Sequence, residues 1–262
     1  MVNLVAAQKP LMNALMKMAG ITPYTVEIES GTVMSFWVPS DTKPTVVLVH
    51  GFAAEGIVTW QFQIGALTKK YSVYVPDLLF FGGSKTNKTE RSPTFQAQCL
   101  AAALRKLGVE KCVVVGFSYG GMVAFKMAEM YPEIVQALVI SGSILAMTDS
   151  ISVTTLQELG FSSSSELLLP TSVKGLKALL SVAAHKKLWF PDRLHRDFLE
   201  RIHLLWGEKD QIFKLELAQN MKEQLGEKST LEGIKKAGHL VHLERPCVYN
   251  RCLKKFIDSI LV

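Results

Sequence analysis

Apolar and polar positions along this chain follow two alternating rhythms. Short runs rich in Val, Ile and Leu are separated by longer stretches with helical spacing. Residues 24–29 alternate, turn at Ser30-Gly31 and return as 33–38, the pattern of a β-hairpin. Residues 45–50 form a near-continuous apolar run, as expected of a strand buried on both faces. Residues 71–76, 112–115, 135–140, 202–206 and 229–234 read as further strands. Helical patterns fall around 60–67, 94–107, 119–131, 215–225 and 248–260. Gly108 is placed to cap the second of these and Pro132 to close the third. Strand and helix in alternation predict an α/β fold, a mostly parallel central sheet covered by helices on both faces.

The rhythm breaks at Ser143. Residues 144–200 hold a serine run (Ser162 to Ser165), scattered apolar positions and a helical segment over 173–189. They read as an insertion over a core built from 1–143 and 201–262. Its exit is abrupt. A helical pattern over 194–200 meets a strand pattern over 201–206 with no Gly, Pro, Asn or Ser between them, although such a change of direction normally needs turn chemistry.

Residues 1–20 form an apolar helical segment containing Leu4, Leu11, Met12, Leu15, Met16 and Met18. One reading packs this helix on the domain; the other lays it weakly on a membrane surface. It lacks the basic region that opens a secretory signal. No run reaches about 18 consecutive apolar residues, so no spanning segment is expected.

Composition narrows the classes. With 262 residues, 48% hydrophobic and 20% charged, the chain can bury a sizeable core. The net charge is +6. The basic residues are scattered as pairs (Lys69-Lys70, Lys186-Lys187, Lys235-Lys236, Lys254-Lys255), which reads as solvated faces rather than a nucleic-acid stripe. Cys99, Cys112, Cys247 and Cys252 show no metal-type spacing. They read as reduced thiols, and with them comes the expectation of a cytoplasmic location. The pattern specifies no oligomeric state.

The densest chemistry is Gly116-Phe117-Ser118-Tyr119-Gly120, where a β-branched strand runs directly into a helical pattern. That is the sequence form of a nucleophile elbow, a strand-to-helix turn with Ser118 at its tip. The competing reading is an ordinary glycine-rich turn whose serine caps the helix. A serine hydroxyl needs a base, and the base needs an orienting group. In an open parallel sheet such groups gather at the carboxyl ends of strands. Asp210 and His239 each sit just past a predicted strand, in the order Ser, Asp, His expected of this arrangement. Glu208 is the rival acid and His242 the rival histidine.

At this point a resemblance becomes specific. VLVHGF, VPDLLFFGGS, VVGFSYGG, LLWGEKDQIF and KKAGHLVHLERP, spread over nearly the whole chain outside the insertion, resemble the α/β-hydrolases, in particular the plant-type esterase and lipase-like branch. The resemblance implies Ser118 as nucleophile, Asp210 as acid and His239 as general base. It implies an oxyanion hole from the backbone N–H groups of Phe52 and Tyr119. It makes residues 144–200 a helical cap, shortened here, over a more open pocket. Candidate pocket residues are His50, Phe80, Leu145, Trp189 and Leu240. Phe80 departs from the family loop Asp-x-x-Gly-x-Gly-x-Ser, standing where the first glycine is usual. Neither a metal nor an organic cofactor is implied. Related epoxide hydrolases and haloalkane dehalogenases use Asp at the elbow, whereas Ser fits acyl transfer. The expected substrate is a small-to-medium apolar carboxylic ester. Two alternatives share the same residues: a hydrolase-fold ligand receptor with little turnover, and a carbon–carbon hydrolase or lyase.

Overall fold

A computed structural model describes residues 4–52, 54–145, 149–183, 202–211, 214–225, 229–239 and 241–252. They form two compact units, Leu11–Asp149, and Met1–Pro10 with Ser150–Val262.

The first unit holds the larger sheet. Its strands are β1 (Ile21–Glu29), β2 (Thr32–Pro39), β3 (Thr45–Val49), β4 (Ser72–Pro76), β5 (Lys85–Thr86), β6 (Cys112–Phe117) and β7 (Val135–Ser141). They lie in the order β1-β2-β4-β3-β6-β7, with β5 alongside β2. The predicted hairpin is present: β1 and β2 pair antiparallel from Ile21 opposite Pro39 to Glu29 opposite Thr32. β3, β4, β6 and β7 pair in parallel, as the strand–helix alternation requires. β5 has no apolar signature; it is two residues of loop recruited by backbone pairing to Thr32 and Val33.

The run at 45–50 is buried on both faces, as predicted. Val47 and Val49 enter one core, with Leu100 and Leu104 of α3 (Pro93–Lys106) and Val123 and Met127 of α4 (Tyr119–Met130). Val46 and Leu48 enter the other, with Ile57, Trp60 and Ile64 of α2 (Gly56–Leu67). Each fully buried aliphatic side chain is worth about 1.5–3 kcal/mol, so this one strand welds both helical layers to the sheet.

Helix ends follow the predicted chemistry. Ser92 caps α3 by accepting from the Phe95 N–H at 3.1 Å, with Pro93 as its first residue. At the other end Gly108 takes φ 74. Its N–H reaches the Arg105 carbonyl and that of Val109 the Leu104 carbonyl, the double bond that ends a helix at a left-handed residue.

The amino-terminal helix α1 (Leu4–Met18) has two apolar strips. Met12, Met16 and Ala19 pack on the core that holds Trp60. Leu11, Leu15 and Met18 are exposed. The packed reading therefore accounts for one strip and leaves the adjoining one in solvent. No helix among the described residues is long and apolar enough to cross a membrane.

The second unit contains α5 (Asp149–Leu159), α6 (Ser164–Leu168), α7 (Val173–Ala183), β8 (Ile202–Gly207), α8 (Leu215–Leu225), β9 (Ser229–Ile234) and α9 (Val241–Glu244). β8 and β9 pair in parallel along their whole length, Ile202 opposite Ser229 through Gly207 opposite Ile234. The insertion is helical over its described part. The turnless junction at 200–201, the end of the segment predicted over 173–189 and the last helix beyond residue 252 lie outside the described residues.

Candidate active site

β6 ends at Phe117 and α4 begins at Tyr119, leaving Ser118 alone between strand and helix with φ 52 and ψ −123. This left-handed backbone is costly for a side chain and puts Ser118 at the tip of the turn. The two glycines make the turn geometrically feasible. A Cβ on Gly116 would stand 2.6 Å from the Gly120 carbonyl oxygen. A Cβ on Gly120 would stand 2.4 Å from the carbonyl oxygens of both Val49 and His50. α4 thus lies against β3 with no room for a methyl group. Ser118 stands at the amino end of α4, yet its hydroxyl makes no capping hydrogen bond. The capping-serine reading therefore fails.

The loop after β3 lies against the elbow. A Cβ on Gly51 would be 3.1 Å from Ser118 Cβ and 3.1 Å from the Phe117 ring. Phe52 follows Gly51. Tyr119 opens α4, so its N–H has no acceptor within the helix. Two backbone segments carrying candidate oxyanion donors, at Phe52 and Tyr119, thus flank the nucleophile candidate within one unit.

His50 holds this loop in place. Its ring is fully buried. Nδ1 faces the Gly51 carbonyl at 2.7 Å, and Nε2 accepts from the Leu78 N–H at 2.9 Å. The second contact makes Nε2 the acceptor, so Nδ1 carries the proton. Burial pulls the imidazole below its ordinary value, opposed by the Gly51 carbonyl and by Asp77 and Glu55. The expectation that His50 lines the pocket is corrected: both ring nitrogens are used within the protein, and none is left for a substrate.

The loop after β4 is tied at every turn. Asp77 Oδ1 accepts from Gly56 N–H at 2.8 Å and Oδ2 from Gly83 N–H at 3.1 Å. Ser84 Oγ donates to the Asp77 carbonyl. The buried Gln96 amide pairs both ways with the Leu79 backbone. Phe80, where the resemblance implies glycine, has φ 73. The Arg91 guanidinium lies over its ring, 3.4 Å from the centroid. The next residue, Phe81, meets His50 and Phe52 edge-on at 5.5 and 5.4 Å, and Phe52 meets Tyr119 at 6.4 Å. Phe81 and Phe117 were not among the sequence candidates. Their position next to the glycine loop and within Gly-x-Ser was the available signal.

In the other unit, Asp210 and His239 leave β8 and β9 side by side. Gly207 permits this, since a Cβ there would be 2.1 Å from the Gly238 carbonyl oxygen. His239 Nδ1 lies 3.0 Å from Asp210 Oδ2, with the carboxylate almost fully buried and the ring partly exposed. Glu244 supports the loop from behind by accepting from Gly238 N–H at 3.1 Å. Glu208 lies instead against Gly233, and the carboxylate that faces His239 Nδ1 is that of Asp210. A histidine held through Nδ1–H by a carboxylate presents Nε2 as a base.

Of the remaining candidates, Leu145 is 70% exposed, and Trp189 and Leu240 lie outside the described residues. A cavity of about 560 Å³ opens at the amino ends of β3, β4 and β6, lined by Lys43, Tyr71, Tyr74 and Lys111. It is at the wrong end of the strands for Ser118.

A strained serine thus stands between strand and helix at the carboxyl end of a parallel sheet. Residues 44–169 match the sequence profile of a family described as alpha/beta hydrolase fold. The structure resembles that of a bacterial membrane phospholipase A, with a TM-score of 0.61 and 21% identity over 98% of this chain and 91% of that one. The chain has the α/β-hydrolase fold. Among curated α/β-hydrolase-like sequences, epoxide hydrolase 4 of Mus musculus is 33% identical over 102 residues, 37% of this chain and 28% of that protein. The pimeloyl-(acyl-carrier protein) methyl ester esterase of Aeromonas hydrophila is 36% identical over 97 residues, 37% of this chain and 36% of that protein. The match thus spans 28% of the length of the mouse protein and 36% of the bacterial one.

Proposed function

We propose that this protein is a serine hydrolase that cleaves a small-to-medium carboxylic ester through an acyl-enzyme. The observation that carries the reading is Ser118: a strained, uncapped serine at the amino end of α4. A serine at this position favours acyl transfer over the carboxylate-nucleophile chemistry of epoxide opening. The methyl ester esterase relative supports the same choice.

In this reading Ser118 Oγ attacks the ester carbonyl carbon and its proton passes to His239 Nε2. Asp210 holds Nδ1–H and stabilises the imidazolium that forms. The negative oxygen of the tetrahedral intermediate accepts from the N–H groups of Phe52 and Tyr119, where the dipole of α4 also favours it. As the C–O bond breaks, His239 returns the proton to the leaving alkoxide. Water then attacks the acyl group, gives its proton to His239, and Ser118 is released with that proton. Phe52 and Phe117, both partly exposed beside Ser118, provide apolar contact for the acyl group.

A fluorophosphonate probe with turnover of short-chain p-nitrophenyl esters tests this directly. Wild type becomes labelled and turns over repeatedly, while Ser118→Ala does neither. Labelling with only a single slow turnover supports the ligand-receptor alternative. An unlabelled wild type ends the serine-hydrolase reading.

A further inference from the structure

Arg91 stands apart from the other basic residues of the first unit. Its neighbour Glu90 does not neutralise it: the Glu90 carboxylate accepts from the N–H groups of Arg91 and Ser92 at 3.1 and 2.8 Å, at the start of α3. Among the described residues the Arg91 guanidinium makes no ion pair. It is seated instead on the Phe80 ring, at a separation that requires face-on stacking. Stacking fixes the plane of the guanidinium and leaves its in-plane N–H donors outward, the arrangement suited to bidentate binding of a carboxylate.

Two further observations place this group beside the elbow. The Tyr119 hydroxyl donates to the Arg91 carbonyl at 2.9 Å, so the residue next to Ser118 reaches directly to Arg91. Burial, helped by the charge of Glu90, pushes the Tyr119 phenol up to about 12, which keeps it a donor at any working pH. Phe80, Arg91's seat, adjoins Phe81, which with Phe52 and Tyr119 lines the same aromatic patch. The Phe80 backbone is strained at φ 73, where glycine would be relaxed. A ring kept under strain, supporting a cation without a counter-ion, marks a recognition site rather than a packing detail.

We propose that Arg91, held on Phe80, binds a carboxylate at the far end of the substrate, so that the preferred ester has an apolar body and an anionic tip. This rests on the reading of Ser118 as an acyl-transfer nucleophile. The substrate class is then the half-ester of a dicarboxylic acid. The aromatic patch takes the methylene chain, and the guanidinium fixes the chain's free end.

The test compares kcat/KM for monomethyl adipate and monomethyl suberate with methyl hexanoate and methyl octanoate, in wild type, Arg91→Gln, Arg91→Lys and the surface control Lys126→Gln. The readout is the anionic-to-neutral ratio, which a general folding defect does not move. Wild type gives a ratio above one. Arg91→Gln lowers the ratio about ten- to a hundredfold, the usual effect of losing a charge-assisted pair. Arg91→Lys restores part of it, and Lys126→Gln leaves it as in wild type. A wild-type ratio below one, or the same ratio in Arg91→Gln, overturns the proposal. If wild type hydrolyses none of the four esters, the hydrolase reading fails separately. Calorimetric binding of monomethyl adipate then decides for Arg91: binding lost in Arg91→Gln supports the site, and equal or absent binding overturns it.

Discussion

Replacing Phe80 once by alanine and once by glycine isolates the cost of its backbone. Both substitutions remove the ring and the seat of Arg91, so they differ only by a Cβ at φ 73. A side chain in the left-handed region costs about 1–2 kcal/mol. The greater freedom of glycine in the unfolded chain takes back about 0.4–1 kcal/mol. The balance makes Phe80→Gly more stable than Phe80→Ala by about 0.5–1 kcal/mol, the reverse of the usual order of the two residues. For a chain of this size that is a difference in Tm of about 1–4 °C. Both variants fall below wild type. A half-buried phenylalanine contributes about 1–2 kcal/mol, and a cation stacked on it about 0.5–1 kcal/mol more. Urea midpoints at unchanged slope, read by circular dichroism, measure both differences. Adding Arg91→Ala to Phe80→Gly is then expected to cost almost nothing further, since the stack is already gone. An alanine variant as stable as the glycine variant, or more so, refutes the assignment of strain at this residue.

Two other outcomes follow from the geometry. Asp210→Asn is expected to lower kcat by about 10³–10⁴, because an amide in place of the carboxylate no longer selects the Nδ1–H tautomer of His239; Glu208→Gln in the same assay should change it by less than a few-fold, and equal losses would return the acid role to Glu208. Burial holds His50 below its ordinary value of 6.5, so in the pH range just under that value the unfolded chain binds the proton and the folded one does not. The stabilising contribution is therefore complete above about pH 6.5 and is lost as the pH falls below it. His50→Gln keeps an acceptor near the Leu78 N–H and is expected to flatten that fall, measured as urea midpoints from about pH 7.5 to 5; an unchanged pH slope would show that other groups carry it.

What could be read before the structure depended on periodicity and on chain order. Residues 45–50 declared a doubly buried strand because both of their faces meet apolar cores, so the composition of the run was itself the signal. The elbow was legible because Gly116 and Gly120 are forced by backbone contacts that leave no alternative residue. Asp210 and His239 came into view because each lies just past a strand whose apolar pattern marks its end, and the structure sets them facing each other. The features that escaped have no sequence period. Arg91 reaches Phe80 across a loop through a stacking contact, which any spacing can produce. His50 looked like a pocket residue because its position follows the strand. Its burial arises from Leu78, twenty-eight residues onward, whose N–H claims the exposed-looking nitrogen. The pairing of Lys85 and Thr86 with β2 is made by main-chain groups that every residue possesses.

The elbow also divides freedom from constraint within five residues. Positions 116, 118 and 120 are fixed by backbone contact and by the turn itself. The two between them, Phe117 and Tyr119, project away from that contact: the Phe117 ring rests against Gly51 and Gly142 and is 43% exposed, and Tyr119 extends to Arg91. On the proposed function, substrate preference is retuned at the two neighbours of Ser118 while the turn that presents it stays intact. Exchanging Phe117 for smaller or polar residues would redraw the proposed acyl contact without disturbing the scaffold, giving an engineer two adjustable positions set inside a rigid frame.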